Sequence, residues 1–344
     1  MRTLLLMSAL GFALAPAKDM ATEYKAGVGR KITIESSIQS ESTTEMERDG
    51  ESSPARTGTS DLERTEVHID HVVEAEDGKA TKVRRHFLEL GGKSAMEMGE
   101  MSNESEIESP WAGVTLELSE DDGQVDAKVL DGTEPDGEGA LEGHAIGLFL
   151  DGFLPSKAVE EGGEWEISNE AILRGLRLDV QRKLYPPPVR AEGEGRGAGG
   201  RRGGRSSGGD ASFLAQSEWK GTGKLVGQEE KDGALCAIIE LELETSGERE
   251  LEAFGGRAPR ALSLPLENRS TWSAKLEGKM WFDLAAKRPM LLELEGTLKE
   301  ESLRESERDG STMRMSSTRE GRIEYSVQVE PAELEPTQPA KSAK

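Results

Sequence analysis

Apolar residues recur at every second position along much of this chain. Between Arg30 and Gln39, Ile32, Ile34 and Ile38 fall on alternating positions. Val67, Ile69, His71 and Val73 make a second such row, and Val114, Leu116 and Leu118 a third. Alternation sends neighbouring side chains to opposite faces of an extended strand, so each run is expected to have one buried and one wet face. Turn signals separate the runs. Glu76-Asp77-Gly78-Lys79 precedes Ala80–Leu90, and Asp121-Asp122-Gly123 precedes Gln124–Leu130. Asp-Gly readily adopts the positive φ of tight turns, which makes both pairs hairpin candidates.

The second half has the same texture. Trp219–Gln228 leads through Lys231-Asp232-Gly233 into Ala234–Glu244. There Leu235, Ala237, Ile239, Leu241 and Leu243 share one face, while Glu240, Glu242 and Glu244 share the other with Ile238. Thr271–Leu284 and Pro289–Leu303 flank Ala285-Ala286-Lys287-Arg288, and Leu298–Glu307 and Ser311–Val329 flank Arg308-Asp309-Gly310. The pattern predicts long antiparallel strands with leucines and isoleucines inward and acids toward water. Glu-Arg-Asp-Gly occurs at 47–50 and again at 307–310, a short internal match.

The middle reads differently. Gly139–Phe153 places Leu141, Ala145, Leu148 and Phe149 at helical spacing. Asn169 is a candidate cap for a second helix carrying Ile172, Leu173, Leu176, Val180 and Leu184 on one stripe, stopped by Pro186-Pro187-Pro188. The expected fold is therefore mainly β: long antiparallel strands in two β sections, or one large curved sheet or barrel, with a short helical connector. The β sections cover 18–135 and 211–329, the connector 136–185, a flexible Pro/Gly/Arg loop 186–210 and a disordered tail 330–344.

Leu154-Pro155-Ser156-Lys157-Ala158-Val159-Glu160-Glu161-Gly162-Gly163-Glu164-Trp165 has the form LP-x3-V-x2-G-x2-W. It resembles an element of exported bacterial β-rich proteins of unknown function. In those families a later G-x-x-x-F-D-like strand follows, similar here to Gly278-Lys279-Met280-Trp281-Phe282-Asp283-Leu284. The resemblance implies an exported antiparallel β protein and brings no activity with it. The element also makes sense unaided: Pro155 ends the helical region, Gly162-Gly163 turns the chain, and Trp165 anchors the next strand.

Composition narrows the class. The 344 residues suit about two domains. The single cysteine, Cys236, rules out a disulfide scaffold and reads as a small buried strand residue. Met1–Ala17 has a positive Arg2, an apolar run Leu4–Leu14 and small residues at Ala15 and Ala17, the pattern of a signal peptide cleaved after Ala17. A secreted or periplasmic protein is expected. The net charge of −23 disfavours nucleic acid and anionic lipid as partners and suits solubility. Residues 191–210 run the other way, with Arg196, Arg201, Arg202 and Arg205 among glycines, a candidate anion-binding loop.

Recognisable catalytic and metal motifs are absent. His68-Ile69-Asp70-His71 puts residues 68 and 70 on one face and 71 on the other, so the two imidazoles do not converge locally; His86 is a cross-strand candidate, and His144 stands apart. Asp131-Gly132-Thr133-Glu134-Pro135-Asp136 with Glu142 departs from a calcium loop at positions 3, 5 and 6. Ser217-Glu218-Trp219-Lys220 matches S-x-x-K without its companion motifs and lies on an expected strand. No cofactor is implied. The leading reading is a non-enzymatic binding or envelope-associated interaction protein; the sequence does not identify its partner, and the candidates are a hydrophobic ligand or an envelope or extracellular protein. One alternative is a carrier of a hydrophobic ligand, lined by Trp272, Met280, Phe282, Leu292 and Leu294. Another is an exported hydrolase whose site is not visible in sequence.

Overall fold

A computed structural model describes residues 17–121, 124–136, 139–186, 213–250, 265–308 and 311–333. The first sixteen residues, Arg196, Arg201, Arg202 and Arg205, and most of the expected tail lie outside the described residues.

The strands form one antiparallel sheet of thirteen. The first half supplies β1 (Gly29–Arg48), β2 (Glu51–Ser52), β3 (Arg56–Glu76), β4 (Lys79–Met98), β5 (Met101–Glu108), β6 (Thr115–Asp121) and β7 (Gln124–Asp131). The second supplies β8 (Glu164–Ile167), β9 (Trp219–Lys231), β10 (Ala234–Glu250), β11 (Pro265–Asp283), β12 (Arg288–Arg308) and β13 (Ser311–Ala332). Their spatial order is β7-β6-β4-β3-β1-β13-β12-β11-β10-β9-β8, with β2 also on β1 and β5 also on β4. The two expected β sections are thus halves of one sheet, fused where β1 runs antiparallel to β13 from Gly29↔Ala332 to Arg48↔Met313. Two of the Asp-Gly signals adopt the backbone that their chemistry requires: Asp77 and Gly78 take φ 49° and 76°, and Asp232 and Gly233 take 52° and 79°, whereas Asp122-Gly123 and Asp309-Gly310 lie outside the described residues.

One face, here called inner, is covered by residues 17–28, 109–114, 139–163, 168–186 and 213–217. Against it Ile32, Leu225, Ile239, Met280, Phe282, Leu292 and Val327 are fully buried. A second apolar cluster joins Val83, Phe87, Leu116 and Leu118 to Trp111, Ile146, Val180 and Leu184. Leu235 departs from its row: it lies beside the β9–β10 turn, past the edge of this core, and is 53% exposed.

Both expected helices are shortened. Gly139–Phe153 forms turns and only a 3-10 segment over Phe149–Phe153, because Gly139 and Gly143 sit at φ 69° and 82°, outside helical conformation. Ser168, not Asn169, caps α1 (Asn169–Gly175), its Oγ accepting from the Ala171 N–H at 3.2 Å. Asn169 instead accepts from the Trp219 N–H at 2.8 Å, tying the helix to β9. The stripe toward Leu184 is broken at Arg177, at φ 59°, before α2 (Gln181–Leu184). Trp165 holds β8 as expected, its indole donating to the Phe153 carbonyl at 3.0 Å.

Candidate functional site

Two features stand out among the described residues from an ordinary sheet with a covering layer: a charged cluster sealed between the two apolar clusters, and a length of sheet that the described layer does not reach.

The charged cluster reverses the expected polarity of β3. Val67, Ile69, His71 and Val73 do share a face, but it is the half-buried outer one; Glu66, His68, Asp70 and Val72 point into the core. The register places Asp70, His68 and Glu66 beside Arg30, Ile32 and Ile34 of β1, on the face the connector covers. Burying carboxylates is costly unless each finds a cation. Arg85 of β4 supplies one, a two-pronged contact with Asp70 at 2.7 Å on each arm. Arg177 supplies the other, donating to Glu66 Oε1 at 2.9 Å. Burial works to raise both carboxyl pKa values, but Arg177 and His68 hold Glu66, and Arg85 holds Asp70, below the usual carboxylate range. His68 lies between them, Nδ1 at 3.1 Å from Glu66 and Nε2 at 3.9 Å from Asp70.

His144 completes the group from the connector, edge-on to Trp111 at 5.3 Å between ring centroids. Burial, then Arg85 and Arg177, push its pKa down to about 3. The connector is fastened here by more than charge. Arg85 donates to the Ala145 carbonyl at 3.2 Å, Tyr185 to that of Thr65 at 3.0 Å and Tyr325 to that of Gly175 at 2.9 Å. All four charges are matched pairwise beneath the surface, an arrangement that fixes the connector on the sheet. The placement of Arg85 was legible, since it alternates with Val83 and Phe87 on an apolar face; Arg177 carried no such signal.

The other sequence candidates are dispersed. His86 bonds to Thr115 Oγ1 at 2.9 Å and stands opposite Ile69. Ser217 is buried, donating to the Phe213 carbonyl at 2.6 Å and accepting from the Trp272 indole at 2.7 Å, while Lys220 is exposed. Among the described residues no group of three or more His, Cys, Asp or Glu is arranged to hold a metal ion. Met280, Phe282, Leu292 and Leu294 are buried in the main core with Trp272 packed at its margin, and Phe213 covers Trp272 at 5.9 Å between centroids.

The uncovered sheet is the more open feature. The covering layer stops near Ile38, Leu62, Leu90, Ala274, Leu298 and Ile323, whereas β1, β12 and β13 continue to Arg48, Arg308 and Ser311. From Ser40 to Arg48 that is about 30 Å of strand. Strand alternation and register sort this extension by chemistry. The inner side carries Ser40, Ser42, Thr44 and Met46 on β1, and Met313, Met315 and Ser317 on β13. It also carries Arg48, Arg56, Arg249, Arg304 and Arg319, with Glu51 and Glu300 among them. Arg319 donates to Ser40 Oγ at 2.9 Å, and Ser270 to Glu300 at 3.1 Å. The outer side carries Glu41, Glu45, Glu47, Glu301, Glu305 and Glu320, with Lys299 and Arg314 as partial counterions. Further along the outer face a concavity of about 760 Å³ is lined by Glu35, Glu63, Glu277, Glu293, Lys279 and Trp281.

No family model matches the chain, and no curated protein does. Among solved structures it is similar to the InvG secretin domain β-barrel from the Salmonella SPI-1 injectisome NC-base, at 8% identity and a TM-score of 0.16. That alignment covers 92% of this chain and 66% of the other, just under two thirds of its length. Among the described residues no helix is long and apolar enough to cross a membrane, which says nothing of strands. What the findings establish is the fold, a mainly β chain built as one large antiparallel sheet with a short helical connector.

Proposed function

We propose that this chain is an exported, non-enzymatic interaction protein that engages its partner through the uncovered extension of its sheet. One observation carries the reading: the strands outrun their core by about 30 Å, and among the described residues no covering segment lies over either face of this multi-stranded ribbon. Ordering a polar ribbon costs conformational entropy, and the described residues supply little apolar burial there to offset it. A partner surface supplies such burial. The leader-like Met1–Ala17 supports export, and the acidic outer face suits a soluble life outside the cytoplasm.

The test is site-specific photo-crosslinking in the native host. A photoreactive residue replaces Met46 or Met315 in the extension, or Val125 or Leu130 on β7 as controls. Adducts from the extension positions alone are expected. Adducts from the controls alone, or from none of the four, would overturn the proposal. Mass spectrometry of the purified protein provides the second arm, since a stoichiometric lipid would establish the carrier instead.

A further inference from the structure

The extension is sorted by charge across its two faces, and that sorting points to what covers it. On the inner side five arginines, Arg48, Arg56, Arg249, Arg304 and Arg319, accompany two acids, Glu300 and Glu51 opposite Arg48, among the described side chains. On the outer side of the same strands glutamates dominate, Glu41, Glu45 and Glu47 on β1 and Glu301 and Glu305 on β12. In a chain of net charge −23 a random face would be acidic, so an arginine face is a departure that needs a cause. The complementary surface is already present on the molecule: the outer face has opposite charge, the same strands and therefore the same length. Methionines Met46, Met96, Met98 and Met315 give the inner side adaptable apolar area between the charges.

We infer that the inner face of the extension docks on the outer face of a second copy of this chain, sheet upon sheet. The inference rests on the proposed interaction role and names its partner. The size is adequate. About seven strands at about 4.8 Å spacing and about 30 Å of length present roughly 900 Å² per side, against about 800 Å² per partner in a stable interface. Because the two surfaces differ, the contact is heterologous. Unless the rotation closes a ring, copies add in an open series rather than stopping at two.

Sedimentation velocity on the full chain lacking Met1–Ala17 tests this over a concentration series at about 0.15 M salt, where charges beyond ~8 Å are screened. Species larger than a dimer are expected to grow with concentration. Two charge-reversed variants provide the control, Arg48→Glu with Arg56→Glu on the inner side and Glu45→Lys with Glu47→Lys on the outer. Each alone is expected to stay monomeric with unchanged circular dichroism, and mixing them is expected to restore association, because each then meets an opposite face. A wild-type monomer at every concentration overturns the inference, as does unaltered association in either variant. Crosslinks from Met46 to an acidic polymer or an unrelated protein also overturn it, while leaving the interaction role standing.

Discussion

Arg177 and Glu66, 111 positions apart in sequence, meet at 2.9 Å beneath the sheet. One comes from a break in a helical connector and the other from the middle of β3. Both are almost fully buried, at 7% and 5% side-chain exposure. Removing either partner leaves the other as an uncompensated buried charge. Arg177→Met or Glu66→Gln is expected to cost about 3–5 kcal/mol. The double variant Glu66→Gln with Arg177→Met is expected to cost much less than the two singles summed. Urea unfolding of all four proteins closes the cycle, and additive losses would show that the pair does not act as a unit.

Acid should loosen the same region in two stages. His144 has a folded pKa of about 3 against an ordinary value of 6.5, so between these limits the unfolded chain binds one more proton than the folded one. Stability then falls as pH drops below 6.5, by up to about 1.4 kcal/mol per pH unit for this one group. Glu66 and Asp70 have folded values below their ordinary ones, so their contribution is complete above about pH 5 and is lost as pH falls further. His144→Phe should flatten the slope between pH 6 and 4 while leaving the steeper loss below it. An unchanged slope in a pH series of urea midpoints would remove His144 from the account.

Gly175 sets two principles against each other. In α1 alanine is worth about 1 kcal/mol over glycine. A Cβ at this position, however, would lie 2.3 Å from Cζ of Phe153, whose ring is fully buried. Crowding in a packed core costs about 1–3 kcal/mol. Gly175→Ala is therefore expected to destabilise, read as a lower thermal midpoint; a higher one would show that the Phe153 ring moves aside freely.

Phe282 and Met280 separate core packing from a ligand cavity. Both are fully buried in the main cluster. Phe282→Ala is expected to cost about 3–5 kcal/mol and Met280→Ala about 2–5 kcal/mol. Neither is expected to alter the crosslinking pattern of the extension while the protein remains folded. A variant of normal stability that loses a copurifying lipid would favour the carrier.

Alternation made most of the sheet readable. Ile32, Ile34, Leu241 and Leu243 announced their faces because one side of each strand meets apolar atoms and the other meets water. The Asp-Gly turns announced the hairpins because few residues tolerate their backbone. β3 broke the pattern at Glu66, His68 and Asp70, where the cations that permit burial come from β4 and from a distant connector. The expected helices failed for a related reason. Local spacing suggested a long stripe, but Gly143 and Arg177 adopt left-handed conformations that interrupt it.

Strand identity, turn placement and the mainly β class followed from local rules, since each depends on neighbours within a few positions. The joining of β1 to β13, the inward turn of the β3 carboxylates and the reach of the strands past their covering layer did not. Each depends on which distant side chains arrive at the same place, and linear order carries no term for that.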